Sequence, residues 1–366
     1  MLAARATLDL AVMAARIFLH VGTPKSGTTY LQSLLWHNRG LLAERGLIYP
    51  GMRHFDQNRA SIEVRRGAHL RSEQAPVWNR FLRRAATESC DLVLSNEWYV
   101  AARPAQLEGA IEQLSAHGEV HVVLTARDLV GQIPAGWQET LKLGTGVSLE
   151  GFVERLDDPD QRWRWSVLDA AEALEPWARV VAPERIHVVT LPRGGGPRDL
   201  LWRRFLGVMG QGGDGTDLGA ASANESLGVE SAVLLQRFGP ALLEALDPAN
   251  SPWQTPYNWL RNYISHEVLV PLGGAPIGLP DALVETLRAR SARMVGRLGA
   301  AGYELVGDTA DLLDGAPKPG SVQPDAVSTT ELLDRAGVLA ARLLADLRRA
   351  DEGTDGPHPS GGDAVD

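Results

Sequence analysis

The chain has 366 residues, a formal net charge of −9 and 44% hydrophobic residues. This length allows one large α/β domain or two small ones, and the composition is ordinary for a globular protein. The negative charge argues against a general nucleic-acid-binding protein but allows a local basic cleft, and the single cysteine, Cys90, excludes an intramolecular disulfide and a cysteine zinc cluster.

The first fifteen residues mix apolar side chains with Arg5 and Asp9. Because this apolar run is short and leads directly into the first predicted strand, we expect residues 1–15 to form a loosely ordered extension and not a signal peptide. No other run is long and apolar enough to cross a bilayer. The sequence therefore predicts no membrane span and, with its one cysteine, a cytoplasmic location.

The next stretch predicts a phosphate-binding loop. Residues 17–21 form an apolar run typical of a buried strand, Gly22 and Gly27 enclose a turn, and residues 30–45 carry the apolar period of a helix. This geometry binds phosphate because unpaired backbone N–H groups and the positive end of the helix dipole point into the turn. Lys25 adds a full positive charge.

The sequence of this loop differs from the nucleoside-triphosphate P-loop motif, which is G-x-x-x-x-G-K-[ST]. Gly22 and Gly27 keep the spacing, but Thr28 replaces the lysine, which has moved to position 25. Residues 23–29 (Thr-Pro-Lys-Ser-Gly-Thr-Thr) instead resemble the 5′-phosphosulfate loop of sulfotransferases that use PAPS (3′-phosphoadenosine 5′-phosphosulfate). The resemblance implies that Lys25 is catalytic. It also assigns PAPS binding to Lys25, Ser26, Gly27, Thr28 and Thr29.

A second strand, over residues 91–95, leads directly into the polar run Ser95-Asn96-Glu97. Ligands of open α/β sheets bind at the carboxyl ends of the strands. In cytosolic sulfotransferases this strand ends in a catalytic histidine, and Glu97 falls at that place, so the resemblance implies that Glu97 is the general base. The alternatives are that Glu97 only stabilises the first turn of a helix, or that His54 is the base.

A third strand, over residues 119–126, is followed by Arg127. In the sulfotransferase resemblance an arginine at this place binds the 3′-phosphate of PAPS, and a planar guanidinium suits that task. A serine expected eight residues later is replaced by Ala135, so one phosphate contact is missing. The motif Ile-Pro-x-x-Trp-Gln-Glu that follows is similar to one in a bacterial, especially actinobacterial, branch of the sulfotransferases. Trp137 and Gln138 either line the acceptor site or pack the helix on the sheet.

The remaining pattern alternates helices with strands and then becomes mainly helical. We predict further helices over residues 76–89, 104–117, 148–179, 200–209, 224–246 and 281–298, and a strand over residues 185–190. The predicted domain covers residues 16–314. A linker (315–327), an amphipathic helix (328–350) and a disordered tail (351–366) follow it. The amphipathic helix either docks on the domain or joins a second subunit in a homo-oligomer.

These patterns predict an α/β fold with a P-loop-type, doubly wound parallel sheet flanked by helices and a largely helical C-terminal part. The resemblance implies a sulfotransferase that moves the sulfuryl group of PAPS to a hydroxyl or amine of a small-molecule, lipid or glycan acceptor and releases PAP. It implies no metal, because lysine and backbone donors supply the charge. The alternatives are a P-loop kinase or NTPase and a catalytically silent nucleotide-binding relative.

Overall fold

The computed structural model describes residues 16–66, 75–194, 196–219, 226–252 and 254–352. The predicted extension over residues 1–15 and residues 353–366 of the predicted tail lie outside this part of the chain. Within it, no helix is long and apolar enough to cross a membrane.

A six-stranded sheet runs through the molecule in the order β2-β3-β1-β4-β5-β6. All neighbouring strands pair in parallel. The strands are β1 (Arg16–His20), β2 (Leu47–Ile48), β3 (Asp91–Ser95), β4 (Glu119–Ala126), β5 (Ile186–Thr190) and β6 (Glu304–Val306). Strand β1 lies between β3 and β4, at the point where the order of the strands reverses. Ligands of open α/β sheets bind at such a point.

Helices cover both faces of this sheet, because alternate side chains of a strand point to opposite faces. In β1, Ile17 and Leu19 belong to one buried cluster with helices from residues 56–115 and 281–300. Phe18 belongs to another, with helices from residues 28–44 and 200–208. The fold is therefore α/β with an all-parallel, helix-flanked sheet, as the sequence predicted at that level.

The helices before β5 are α1 (Thr28–His37), α2 (Arg39–Glu44), α3 (Asp56–Arg66), α4 (Pro76–Thr87), α5 (Pro104–Ser115), α6 (Leu129–Leu141), α7 (Leu149–Glu154), α8 (Trp165–Leu168) and α9 (Ala170–Leu174). Those after β5 are α10 (Leu200–Val208), α11 (Val229–Ala245), α12 (Gln254–Pro256), a π-helix (Tyr257–Leu269), α13 (Asp281–Ala300), α14 (Ala310–Leu313) and α15 (Thr329–Asp351). Short 3₁₀ helices occur at Glu97–Ala101, Arg155–Asp157, Trp177–Arg179, Pro183–Arg185, Val270–Leu272 and Pro324–Ala326.

Three segments differ from the sequence prediction. The helix predicted over residues 30–45 is two helices, interrupted at Asn38, whose side-chain amide donates to the carbonyl of Leu34 (2.9 Å). The polar segment 51–75, for which the sequence predicted no helix or strand, contains α3, which buries Ala60 and Val64 under the sheet. The long helix predicted over residues 148–179 is a series of short helices.

The C-terminal part forms a helical layer with its own buried cluster. This cluster joins residues of α6, α11, the π-helix and α15. Helix α15 begins with a capping box between Ser328 and Glu331 and buries Leu332 and Leu339 against this layer. The segment predicted as a linker, residues 315–327, packs on the domain: the Gly278 N–H donates to its Val322 carbonyl (2.7 Å).

Candidate active site

A cleft of about 1070 Å³ opens at the carboxyl ends of β1, β3, β4 and β5. Its floor is the turn between β1 and α1, where Lys25, Gly27, Thr28 and Thr29 line the cavity. Its walls come from α6, from residues 162–163, from the π-helix and from residues 314–319. The cavity is at the upper end of the size range of small-molecule binding sites.

The turn adopts its shape through glycines and one strained lysine. Gly22 and Gly27 have φ of 44° and 89°, and Lys25 has a φ of 68°, which is rare for a residue with a side chain. A Cβ atom on Gly27 would also lie 2.5 Å from the Leu201 side chain. Left-handed residues next to right-handed ones make a concave row of backbone N–H groups, which binds anions.

Side chains from β4 and α6 fix the orientation of this turn. The Gln132 amide donates to the Pro24 carbonyl (2.8 Å), and Arg127 Nη1 donates to the Lys25 carbonyl (3.1 Å). In a trans peptide the N–H points away from the carbonyl of the same unit, so the N–H groups of Lys25 and Ser26 point away from these side chains. Gly27 caps α1 without a side-chain acceptor, which leaves the first-turn N–H groups of the helix available to a ligand.

The hydroxyl residues of the turn divide into two groups. Ser26 is fully buried, and its Oγ lies 2.5 Å from the Thr23 carbonyl and 2.7 Å from Thr125 Oγ1. Its side chain therefore holds the turn against β4. Thr28 and Thr29 line the cleft, with Thr29 exposed and Thr28 buried.

Lys25 reaches across the cleft to α6. Its Nζ donates to Glu139 Oε1 at 2.8 Å, and the same carboxylate accepts from Lys142 (2.9 Å) and pairs with Arg261 (3.5 Å). Burial alone would raise the pKa of Glu139, but the three cations hold this pKa well below its usual range. Glu139 is therefore an ionised counter-charge that positions Lys25.

Glu97 lines the cleft next to α1. Its Oε2 accepts from the Gln32 amide at 3.1 Å, and it is the first residue of a 3₁₀ helix capped by Asn96. Ser95 is fully buried, and its hydroxyl contacts His20 Nδ1 (2.7 Å). Glu97 therefore shares the cleft with Lys25, whereas Ser95 belongs to the sheet.

The two other candidates from the sequence differ in position. Arg127 and Asp128 follow β4 at the cleft, with Arg127 Nε 3.9 Å from the Asp128 carboxylate. His54 is exposed and packs edge-on against Trp36, outside the residues that line the cleft. The structure thus brings Glu97 and Arg127 to the cleft and leaves His54 outside it.

Helix α6 presents one face to the cleft. This face carries Gly131, Pro134, Ala135, Gln138 and Glu139. Ala135 lines the cavity without a hydroxyl. Gln138 accepts the backbone N–H of Leu227 (2.9 Å), and the fully buried Trp137 lies on the other side of the helix and packs in the core.

Several cleft residues carry no local sequence signal. Arg162, Arg193, Arg261 and Lys318 come from four distant segments and line the same cavity. Of the cleft residues that the sequence analysis missed, Glu139 is the one with a local signal. Small and polar residues recur along α6 at spacings of three and four, which places them with Glu139 on one face of the helix.

The cleft is more basic than the molecule as a whole. Six basic and four acidic side chains line it, in a chain whose net charge is −9. A cavity with an excess of positive charge attracts anionic ligands. Within the described residues, no three His, Cys, Asp or Glu side chains converge as a metal site would require.

Comparisons with protein-family models, with curated proteins and with solved structures find no match to this chain.

Proposed function

We propose that the chain is a sulfotransferase that moves the sulfuryl group of PAPS to a hydroxyl or amine of a small-molecule, lipid or glycan acceptor. One observation carries the proposal. The Thr-Pro-Lys-Ser-Gly-Thr-Thr turn, with its lysine inside the loop, lies at the strand-order reversal of a parallel sheet and opens into a basic cleft. The fold proposed is accordingly of the P-loop type, and a protein of this kind is expected in the cytoplasm.

The residues of the turn suit the 5′ end of PAPS. The first-turn N–H groups of α1, with Thr28 and Thr29, would bind the 5′-phosphate, since they lie at an uncapped helix N-terminus. Arg127 would bind the 3′-phosphate, with Lys318 as a second cation in place of the hydroxyl that Ala135 lacks. Ser26 acts indirectly, because its hydroxyl is used within the protein.

The proposed reaction is an in-line displacement at sulfur. The acceptor oxygen or nitrogen forms a bond to sulfur, the bond between sulfur and the bridging oxygen breaks, and its electron pair remains on the 5′-phosphate of PAP. Lys25 neutralises charge on that oxygen, and Glu97 accepts the proton of the acceptor. Positioning and charge stabilisation supply the catalysis, as in phosphoryl transfer.

Calorimetric titration with PAP and with AMP, which lacks the 3′-phosphate, tests this proposal. We expect PAP to bind about 10- to 150-fold more tightly than AMP, which is the value of a hydrogen-bonded charge contact. In Arg127→Ala this preference should disappear, whereas Arg179→Ala, at an exposed arginine outside the cleft, should keep it. Equal loss of both ligands in Arg127→Ala would mean that Arg127 only positions the loop through the Lys25 carbonyl.

The same titration separates the alternatives. Binding of Mg-ATP, with PAP bound no more tightly than AMP, would indicate a kinase or NTPase. Against that alternative, Asp128, the carboxylate next to Arg127, is already used to cap α6, because it accepts the Gly131 N–H (2.6 Å). Binding of PAP without transfer of labelled sulfuryl to any acceptor would indicate a silent relative. Failure of all three nucleotides to bind would contradict the proposal.

A further inference from the structure

The cations of the cleft divide into paired and unpaired ones. Lys25 and Arg261 pair with Glu139, Arg127 lies beside Asp128, and Arg193 contacts Asp314 (3.1 Å). Within the described residues, the side chains of Arg162 and Lys318 have neither a hydrogen bond nor an ion pair, although both line the cleft. Unpaired cations in a cleft indicate the places where a ligand brings negative charge.

These two cations lie on opposite sides of the loop. Lys318 belongs to the segment 314–319, which lies near Asp128 and Arg193 at the ends of β4 and β5. Arg162 lies on the β3 side, where its guanidinium stacks on Trp98 at 4.2 Å from the ring centroid. Strands β3 and β4 flank β1 on its two sides, so one end of the cleft suits the nucleotide and the other end suits the acceptor.

The acceptor end is built for a ring that carries an anion. Trp98 lies edge-on to Trp163 (centroids 5.8 Å apart), and Arg261 stacks on Tyr257 (5.1 Å), so two arginines and three aromatic rings line one wall. A guanidinium stacked on a ring leaves its N–H edge free for a carboxylate. Aromatic side chains also provide apolar faces for a ligand ring.

Arg162 also lies near the proposed base. It interacts electrostatically with both Glu97 and Glu139. Nearby, Asn58 lines the cleft on the helix that packs against the Glu97 segment, and its buried side-chain oxygen has no hydrogen-bond partner. That oxygen can accept from a ligand hydroxyl, which places a hydroxyl-binding group and an anion-binding group on the same side of the cleft.

We propose that the acceptor is a hydroxylated ring bearing a carboxylate, and that Arg162 binds this carboxylate while the ring lies beside Trp98. The inference rests on the proposed sulfotransferase function, since it assigns the acceptor of that reaction. The anions of PAPS are assigned to the loop, Lys25, Arg127 and Lys318, so Arg162 is the cation that the donor leaves without a partner.

The test uses three ring carboxylates, each paired with its neutral amide: 4-hydroxybenzoate, 4-hydroxyphenylacetate and glucuronate. Each probe is titrated calorimetrically into the full chain saturated with PAP, so that the donor site cannot bind the carboxylate. At least one acid should bind about tenfold or more tightly than its amide, as expected for a charge-assisted contact. Arg162→Gln should abolish this preference, and Arg155→Gln, at an exposed arginine outside the cleft, should keep it.

The outcomes separate this inference from the proposed function. Tight PAP binding with no acid preferred over its amide would overturn the inference and leave the sulfotransferase proposal intact. A preference that survives in Arg162→Gln would also overturn it. If PAP fails to bind, the proposed function fails, and the same acid and amide pairs titrated into the protein alone still decide whether Arg162 binds a carboxylate.

Discussion

At the scale of single residues, Glu97 is the proposed proton acceptor, and its removal is directly testable. We expect Glu97→Gln to lower the rate of sulfuryl transfer by about 10²- to 10⁴-fold, which is the usual contribution of a general base. The amide keeps the size of the side chain and its place beside Gln32. Transfer of labelled sulfuryl from PAPS to an acceptor that the wild type sulfates measures the effect.

The matched control is His54→Ala, because His54 is exposed outside the cleft. It should keep near-normal transfer. A large loss in His54→Ala together with near-normal transfer in Glu97→Gln would show that the base is assigned to the wrong residue.

His20 gives the molecule an acid-sensitive core. It is fully buried between the hydroxyls of Ser95 (2.7 Å) and Thr125 (3.2 Å), and burial lowers the pKa of His20 to about 3. In the unfolded chain this histidine takes up a proton near pH 6.5, whereas in the native state it stays neutral. Stability should therefore fall as the pH falls from about 6.5 toward 3, by up to about 1.4 kcal/mol for each pH unit.

Urea unfolding of the wild type and His20→Asn between pH 5 and pH 8 measures this dependence. The variant should show a smaller decrease in the free energy of unfolding below pH 6.5. Part of the decrease should remain, because burial and Lys142 lower the pKa of His266 to about 4. Parallel pH curves for the two proteins would contradict the assignment.

At the scale of elements, the sequence predicted those whose signal is local. The strands with β-branched runs, such as β4 and β5, and the turn around Lys25 follow from neighbouring residues. The Arg127 position also follows from the end of a strand. Helix α3 was not predicted, because its polar composition hides a narrow apolar stripe at Ala60 and Val64.

The parts of the site that the sequence did not predict depend on contacts between distant segments. Arg162 and Lys318 lie in loops with no periodicity, and only the folded chain brings them to one cleft. The segment 315–327 reads as a linker because it is rich in proline and glycine, although residues 315–319 line the cleft. A single sequence carries no signal for such pairings.

Helix α15 is attached to the π-helix through one buried carboxylate. Asp346 is 2% exposed and accepts hydrogen bonds from Tyr263, Arg342 and Arg349. Asp346→Ala should cost about 1–3 kcal/mol, because the buried Tyr263 hydroxyl loses its acceptor. Amide hydrogen exchange should become faster in α15, while Asp351→Ala, at an exposed carboxylate of the same helix, should leave it unchanged. If the amides of α15 exchange no faster in Asp346→Ala than in Asp351→Ala, apolar packing alone attaches the helix.

At the scale of the whole molecule, α15 keeps an apolar stripe in solvent. Leu333, Leu344 and Leu347 are 65%, 70% and 68% exposed. With Gly337 and Ala340 between them, they recur at spacings of four, three, four and three residues, which is the spacing of a coiled-coil seam. Small residues at the middle of the stripe allow two helices to approach closely. We therefore expect a homodimer through α15.

Charge favours an antiparallel pair of these helices. Asp334 and Arg348 are exposed beside opposite ends of the stripe, so a two-fold axis near its centre brings Asp334 close to Arg348 of the partner subunit. In a parallel pair the two charged positions would lie on opposite flanks of the seam, so this ion pair could not form. The dimer is thus predicted from both the apolar spacing and the charge pattern of one helix.

Sedimentation equilibrium of the full chain tests this prediction. Leu344→Glu should give a monomer, because a carboxylate would be buried in the seam, and Ala345→Glu, at an exposed position beside the stripe, should remain dimeric. Asp334→Arg should weaken the dimer, and adding Arg348→Asp to it should restore association, because the exchanged charges again lie opposite each other. A wild-type monomer at about 100 μM would contradict the dimer, since that concentration exceeds the dissociation constant expected of a stable interface.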